Sequence, residues 1–353
     1  MTDNQRVRAI TGSLLGTAVG DAIGLPYEGL SRQRAARLLG PPDRHRLFFG
    51  RGMISDDTEH TCMVAQALTA SAGQIEVFEC HLARQMRYWL LGLPAGVGLA
   101  TLRAIIRLWL GYGPRRSGVF SAGNGPAMRA PILGAAVDCP RELRELVRAS
   151  SRITHTDPKA EHGAFAVALA AQMARQNVSV SPAEYLKELR TSLEPDAAEL
   201  VSLISAVVQS VTAAQSTQMF AESLGLNTAV SGYVFQTVPV AIHAWLSHPR
   251  DYRAAVISII SCGGDTDSTA AIVGGIVGAA VGKEGIPIEW LNGLLEWPRS
   301  VRWMEQLASQ VDASLSGQTI TPQSAPLWQV LPRNVLFMAI VLCHGMRRLW
   351  PPY

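Results

Sequence analysis

The residues best equipped for chemistry fall in two places. Cys262-Gly263-Gly264-Asp265-Thr266-Asp267-Ser268 places two carboxylates and two hydroxyls behind paired glycines and ahead of a long Ala/Gly/Val run. Far earlier, Ser55-Asp56-Asp57-Thr58-Glu59 again sets adjacent acids where a helical pattern opens. Four aspartates and several hydroxyl oxygens are hard ligands, suited to one or two divalent cations such as Mg²⁺ or Mn²⁺. Neighbours on a helix face are three or four residues apart, so Asp265 and Asp267 cannot share an ion from mid-helix. They can do so from a turn that runs into the first helical turn, and the paired glycines free the backbone for one. Either stretch alone reads equally well as acids and hydroxyls that cap a helix and complement its dipole. Two such stretches, each with paired acids, favour a shared metal site.

Helices must position these residues. Val7–Ala22 reads as a helix in which Gly12, Gly16, Gly20 and Gly24 recur every fourth residue, and the device returns at Gly274, Gly278 and Gly282. Each helical glycine costs about 1 kcal/mol relative to alanine, so the stripes need a packing reason, namely close approach of two helices. A transmembrane interface looks similar on this cue alone. Pro26 and the flanking glycines end the first helix and leave Glu28 on a loop, either solvated or near the acids. Asp56 to Glu59 fits a capping box with Asp56 as N-cap, followed by a helix over Thr58–Ser71. Gly111–Arg129 is a long Gly-rich loop, a kind of segment that is often functional. Within it Gly123-Asn124-Gly125 could turn backbone N–H groups toward an anion and Arg129 could hold a phosphate, although an ordinary loop reads the same way. His155 precedes Asp157 (an N-cap) and Pro158, which open a helix over Lys159–Ala174; it is either a structural partner or a cleft residue.

Further helices are expected over Ser31–Leu39, Ile75–Leu91, Ala100–Leu110, Arg141–Arg152, Pro182–Arg190, Asp196–Ala214, Tyr233–Leu246 and Asp251–Ser261. Trp290–Leu315 should be helical with a break at Pro298. A polar linker, Ser316–Gln323, leads to a final helix around Leu336–Leu349. Strand signals are almost absent, so the expectation is an all-α bundle in a single domain spanning 1–353.

With 353 residues, 48% of them hydrophobic, and a mean hydropathy of +0.15, the chain can bury a sizeable core. A net charge of +3 without a long Lys/Arg run argues against nucleic acid as a partner. The five cysteines lack CxxC spacing, which argues against a zinc cluster or disulfide framework and fits a reducing cytoplasm. Met1–Arg8 is polar, with no apolar signal core. Ala270–Val281 and Val335–Cys343 are shorter than the roughly 20 residues of a membrane span and read as buried helices.

Six segments, GDAIGLPYEG, ISDDTEH, SAGNGPAMR, ITHTDP, SGYVFQTVPVA and CGGDTDSTAAI, occur in this order. The set resembles the ADP-ribosyl-acceptor glycohydrolases from about Ala9 to Leu349. The resemblance implies a compact orthogonal helical bundle with two Mg²⁺ or Mn²⁺ ions in a central cleft. It assigns metal ligation to Ser55, Asp56, Asp57, Asp265, Asp267 and Ser268, and catalytic roles to Glu28, Asp56 and Asp267. It places Gly123, Asn124, Gly125, Met128, Arg129, His155, Tyr233, Gly263 and Gly264 against the ADP-ribosyl group, with Tyr233 at the adenosine end. Ser55 stands where many members have threonine, which keeps a hydroxyl. Glu59-His60 stands where the pattern often has glutamine, which adds a charge near the cleft. The implied activity is metal-dependent removal of mono-ADP-ribose from a protein side chain, arginine foremost. Alternatives are an ADP-ribosylserine or O-acetyl-ADP-ribose hydrolase, a binding protein that neutralises an ADP-ribosylating toxin, and a metal-dependent phosphatase. The expected partner is an ADP-ribosylated protein, with no nucleic acid and no membrane span, and the chain is expected to act as a monomer.

Overall fold

A helix without side chains along one face lets another backbone touch it, and this contact is the centre of the molecule. The computed structural model describes residues 3–176, 179–193 and 197–349. Six helices build the site: α1 (Asp3–Gly24), α2 (Asp56–Ser71), α3 (Pro158–Gln176), α4 (Val234–Ser247), α5 (Thr266–Val281) and α6 (Leu327–Arg347). The pairing of α1 with α5 is antiparallel, with Gly12 at Gly278, Gly16 at Gly274, Gly20 at Ala270 and Gly24 at Thr266. A Cβ on Gly16 would lie 2.1 Å from the Gly274 carbonyl oxygen, and one on Gly24 2.3 Å from that of Thr266. The Gly stripe therefore runs to the end of α1 and meets the N-terminus of α5, which carries Asp267 and Ser268. Helices α3 and α4 pack on α5, and α2 packs on α1. One large apolar core surrounds this pair.

The chain is 71% helical, and among the described residues only isolated bridges occur, with no sheet. Most expected helices are present with shifted ends. Arg32–Leu39, Ile75–Trp89, Leu99–Trp109, Pro140–Arg152, Pro182–Ser192 and Tyr252–Ile260 lie where the pattern put them. The helix expected from Asp196 begins at Ala198, and Asp196 itself lies outside the described residues. Helices at Pro131–Ala136 and Thr217–Ser223 had no clear sequence signal, and the long loop contains short turns of helix at Pro114–Ser117 and Gly125–Met128. Ser55, not Asp56, caps α2: its Oγ accepts from the Asp57 N–H at 3.3 Å, so Asp56 is the first helical residue.

The final helix departs most from expectation. It begins at Leu327 rather than near Leu336, with Pro332 inside it. The proline removes a bond that would reach back to Trp328, in the exposed first turns, where water can serve that carbonyl. The helix is not buried either: Trp328 is 73% and Leu342 57% exposed. By length and composition alone it could cross a membrane. Its inner face is nevertheless bolted to the body. Phe337 and Ile340 pack with Leu25, Leu47, Met53 and Ala95 in a second, smaller apolar cluster. Arg333 donates to both oxygens of buried Glu296 at 2.8 and 2.6 Å and to the Ile54 carbonyl at 2.6 Å.

Candidate active site

The acids of both stretches line one cavity of about 410 Å³. Glu28, Ser55, Asp56, Asp57, Asp265, Asp267 and Ser268 line it together with Gly123, Asn124, Gly125, Met128 and His155. Asp57 joins the stretches directly. Its Oδ2 accepts from Ser55 Oγ at 3.0 Å and from Ser268 Oγ at 3.3 Å.

The turn that delivers Asp265 and Asp267 is built on left-handed backbone. Gly263 and Gly264 have φ of 71° and 87°, a region that side chains rarely tolerate. The turn is stitched on both sides: Gly264 N–H donates to the Leu30 carbonyl, Gly29 N–H to the Gly264 carbonyl, and Asp265 N–H to the Val230 carbonyl. Neither glycine lines the cavity, so their place is in the backbone of the turn rather than against substrate. Asp265 is the N-cap of α5 and Asp267 lies in its first turn.

A further acid joins the cluster. Asp21, in the last turn of α1, accepts from the Ser55 and Thr58 N–H groups at 2.9 and 3.3 Å and from Thr58 Oγ1. It therefore fixes the start of α2 from outside the helix. Burial pushes its carboxyl up to about 7, against the pull of these hydrogen bonds. A sequence signal existed: a carboxylate in the last turn of a helix opposes the macrodipole and calls for a separate reason.

The electrostatics are those of crowded anions. Burial, then Asp56, Asp21 and Asp265, raise the Asp57 carboxyl well above the usual carboxylate range. Burial, then Glu28, Asp57, Asp265 and Asp21, do the same for Asp267, and burial with Asp21, Glu59 and Glu28 does so for Asp56. Glu28 is raised by desolvation and by Asp265. No Lys or Arg lines the cavity among the described residues. Asp21 Oδ1, Asp57 Oδ1 and Asp267 Oδ1 are buried without a hydrogen-bond partner. Orphaned carboxylate oxygens with no counter-charge are costly unless a cation neutralises them. The donors are all hard oxygens, so the residues fit Mg²⁺ or Mn²⁺. No three His, Cys, Asp or Glu side chains among the described residues are already drawn together closely enough to hold an ion. Hydroxyls and water would supply the remaining ligands.

Beside Asp265, Asn124 orders the glycine loop. Its Nδ2 donates to Asp265 Oδ2 at 2.7 Å and to Thr237 Oγ1 at 3.2 Å, and its N–H donates to the Gly232 carbonyl at 2.9 Å. A Cβ on Gly125 would lie 2.9 Å from His155 Cε1, so the loop can pack this close to the His155 ring only as glycine. Burial, then Arg129, pushes His155 down to about 3, and the ring is neutral at physiological pH. His155 thus has the character of a shaped wall rather than a proton donor.

Besides Gly263 and Gly264, two more expected residues lie elsewhere. Arg129 is fully buried and donates to Ser150 Oγ, the Ser150 carbonyl and Thr154 Oγ1, leaving its guanidinium no reach to a phosphate. The Thr154 Oγ1 that it binds also meets His155 Nδ1 at 2.9 Å. A basic residue beside a Gly-rich loop suggested an anion contact because burial is invisible in the pattern. Tyr233 does not line the cavity; it caps α4, pairs with Gly123 across a single bridge and takes a hydrogen bond from Lys159 Nζ at 3.1 Å. Glu59 does not line the cavity, although its charge is among those that raise the Asp56 carboxyl. Arg299 Nη1 and Trp89 Nε1 each donate to it at 2.6 Å and hold it away from the cavity lining.

Residues 1–321 match the ADP-ribosylglycohydrolase family, so the chain belongs to it, and the family indicates a hydrolase that releases ADP-ribose from ADP-ribosylated proteins. The match stops before α6, short of the Leu349 limit of the motif resemblance. Among its relatives, the ADP-ribosyl-[dinitrogen reductase] glycohydrolase of Rhodospirillum rubrum is 28% identical, with 86% of this chain and 95% of that protein covered. The ADP-ribosylhydrolase ARH3 of Mus musculus is 27% identical, with 79% and 85% covered. An uncharacterized protein of Archaeoglobus fulgidus is 30% identical, with 84% and 94% covered. A solved structure titled ADP-ribosylglycohydrolase-related protein complex shares the fold, with a TM-score of 0.62, 24% identity, and 88% of this chain and 99% of that one covered.

Proposed function

We propose that this chain hydrolyses the N-glycosidic bond of ADP-ribosylarginine with one or two Mg²⁺ or Mn²⁺ ions as cofactors. The observation that carries this reading is the convergence of five carboxylates on one cavity, with Asp21 behind them, where Asp21, Asp57 and Asp267 have orphaned oxygens and no Lys or Arg among the described residues lines the cavity. A divalent-metal requirement is general in this family. Asp56, Asp57, Asp265, Asp267, Ser55 and Ser268 would hold the ions, which when bound orient the ribose hydroxyls and acidify a water.

The protein's own groups account for the rest. The diphosphate rests against the Gly123–Gly125 loop, whose two glycines carry no side chain to bar its approach. The anionic wall stabilises the positive charge that develops at C1″ as the bond to nitrogen lengthens. Glu28, on its loop at the cavity edge, takes a proton from the attacking water and returns it to the departing guanidine nitrogen. Oxygen from water becomes bonded to C1″, the C1″–N bond breaks, the water's proton passes to the nitrogen, and ADP-ribose leaves the restored arginine side chain. A cationic guanidinium suits an acid-lined site better than a neutral acceptor does.

A second reading is an oxygen-linked conjugate such as ADP-ribosylserine. It is favoured by the raised Glu28 carboxyl, since a departing alkoxide needs a proton donor. Incubation with arginine-linked and serine-linked ADP-ribosyl peptides in Mg²⁺, Mn²⁺ or EDTA, followed by mass spectrometry, tests both. Metal-dependent release of ADP-ribose from the arginine peptide is the expected result. Release from the serine peptide alone transfers the proposal to that linkage, and release of inorganic phosphate overturns both.

A further inference from the structure

Helix α6 lies beyond residue 321, where the family match ends, yet it helps to build the cleft. Phe337 and Val341 line the cavity beside Leu25 and Ala95. Phe337 is 2% exposed and shares its apolar cluster with those two residues. The adjoining Gly96 comes close to the acids: a Cβ there would lie 3.1 Å from Asp56 Oδ1. At the other end of the helix, Arg348 Nη1 donates to the Glu28 carbonyl at 2.7 Å and Nη2 to the Pro26 carbonyl at 2.8 Å. His344 Nε2 lies 3.0 Å from the same Pro26 oxygen, and Arg34 Nη2 donates to the Arg348 carbonyl at 2.6 Å. One appended helix therefore reaches both the apolar wall beside Asp56 and the turn that carries Glu28.

The cleft has two unlike sides. Asn124 holds Asp265 on the side of the glycine loop, and α6 bounds the Glu28 and Asp56 side. With the diphosphate on the loop, the acceptor must leave against α6. We propose that α6 selects the acceptor: Phe337 and Val341 limit its width, and Arg348 is a positioning residue that fixes Glu28 against the scissile bond. This inference rests on the proposed hydrolysis. An apolar wall carries no hydrogen-bonding group to read an acceptor's backbone, so it discriminates by size. Each methylene of misfit in such a pocket is worth roughly 10- to 200-fold in kcat/KM.

The test uses the full chain and two substrates, free ADP-ribosylarginine and an intact folded protein carrying ADP-ribosylarginine. Phe337→Ala should raise the protein-to-amino-acid ratio of kcat/KM about tenfold, and Val341→Phe should lower it about tenfold. Calorimetric affinity for ADP-ribose, which has no acceptor, should change less than about twofold in either variant. Val341→Phe opens no void in the buried cluster and carries the test if Phe337→Ala does not fold. Arg348→Ala should lower kcat about tenfold on both substrates with KM unchanged, and Arg348→Lys should recover part of it. An unchanged ratio in the wall variants, or ADP-ribose affinity that falls in step with turnover, overturns the selection role. Loss in Arg348→Ala through KM alone overturns the positioning role. If wild-type protein releases ADP-ribose from neither substrate, the proposed hydrolysis fails and this inference with it; an active wild type with a fixed ratio refutes the inference alone.

Discussion

The α1–α5 pair and α6 are both apolar helices that border the same cavity, and they do so in opposite ways. In the pair, backbone meets backbone along a glycine stripe, and no side chain intervenes that could adjust. The acids at its ends, Asp21 on α1 and Asp267 on α5, inherit that rigidity. Helix α6 instead touches the body through large side chains and a few hydrogen bonds, while most of its apolar surface faces outward. Close backbone packing suits groups whose spacing must not vary. Side-chain packing suits a wall that can differ between relatives without disturbing the chemistry.

The comparison breaks first where the stripe is filled. Gly16→Leu should prevent stable folding or lower stability by more than about 3 kcal/mol, because even a Cβ would overlap the Gly274 carbonyl and neither backbone can retreat. Thermal unfolding monitored by circular dichroism checks this, and a near-wild-type transition would show that the pair is looser than described. Next comes the bolt of α6. Arg333→Met leaves Glu296 buried without its partner and should cost about 3 kcal/mol. Chemical denaturation measures it.

Asp21→Asn should leave the fold intact and lower turnover by about 10- to 100-fold, the range seen when a group that orients a metal ligand is altered. Steady-state kinetics at saturating metal reads the effect, and unchanged kcat would confine Asp21 to capping. Smallest of all, Leu342→Gln on the exposed face of α6 should shift stability by no more than about 0.5 kcal/mol and leave kcat/KM unchanged. A large loss of solubility or stability there would mean that the outer face has a structural partner.

Residue spacing carried much of this architecture. Glycine every fourth residue is a packing statement in itself, and it pointed to the two helices that do pack. Paired acids at helix starts pointed to the residues that line the cavity. Other features depend on what surrounds a residue and left little trace in the pattern. Asp21 looks like one more helical residue until Ser55 and Thr58 are brought to it. Arg129 looks like an anion ligand until Ser150 and Thr154 enclose it. Pro332 reads as a helix breaker, yet its place near an exposed helix start costs little. Helix α6 is more exposed than its sequence implies, because apolar composition says only that a surface prefers cover, not that cover is present.

Titration of the protein with Mn²⁺, followed by electron paramagnetic resonance of the free ion, tests the central reading most directly. Wild-type protein should bind one or two ions, and Asp57→Asn and Asp267→Ala should each weaken that binding by at least about tenfold while the circular dichroism spectrum is unchanged. Equal Mn²⁺ binding by the wild type and both variants would contradict the account, because the buried acids of the two stretches would then not be what holds the metal.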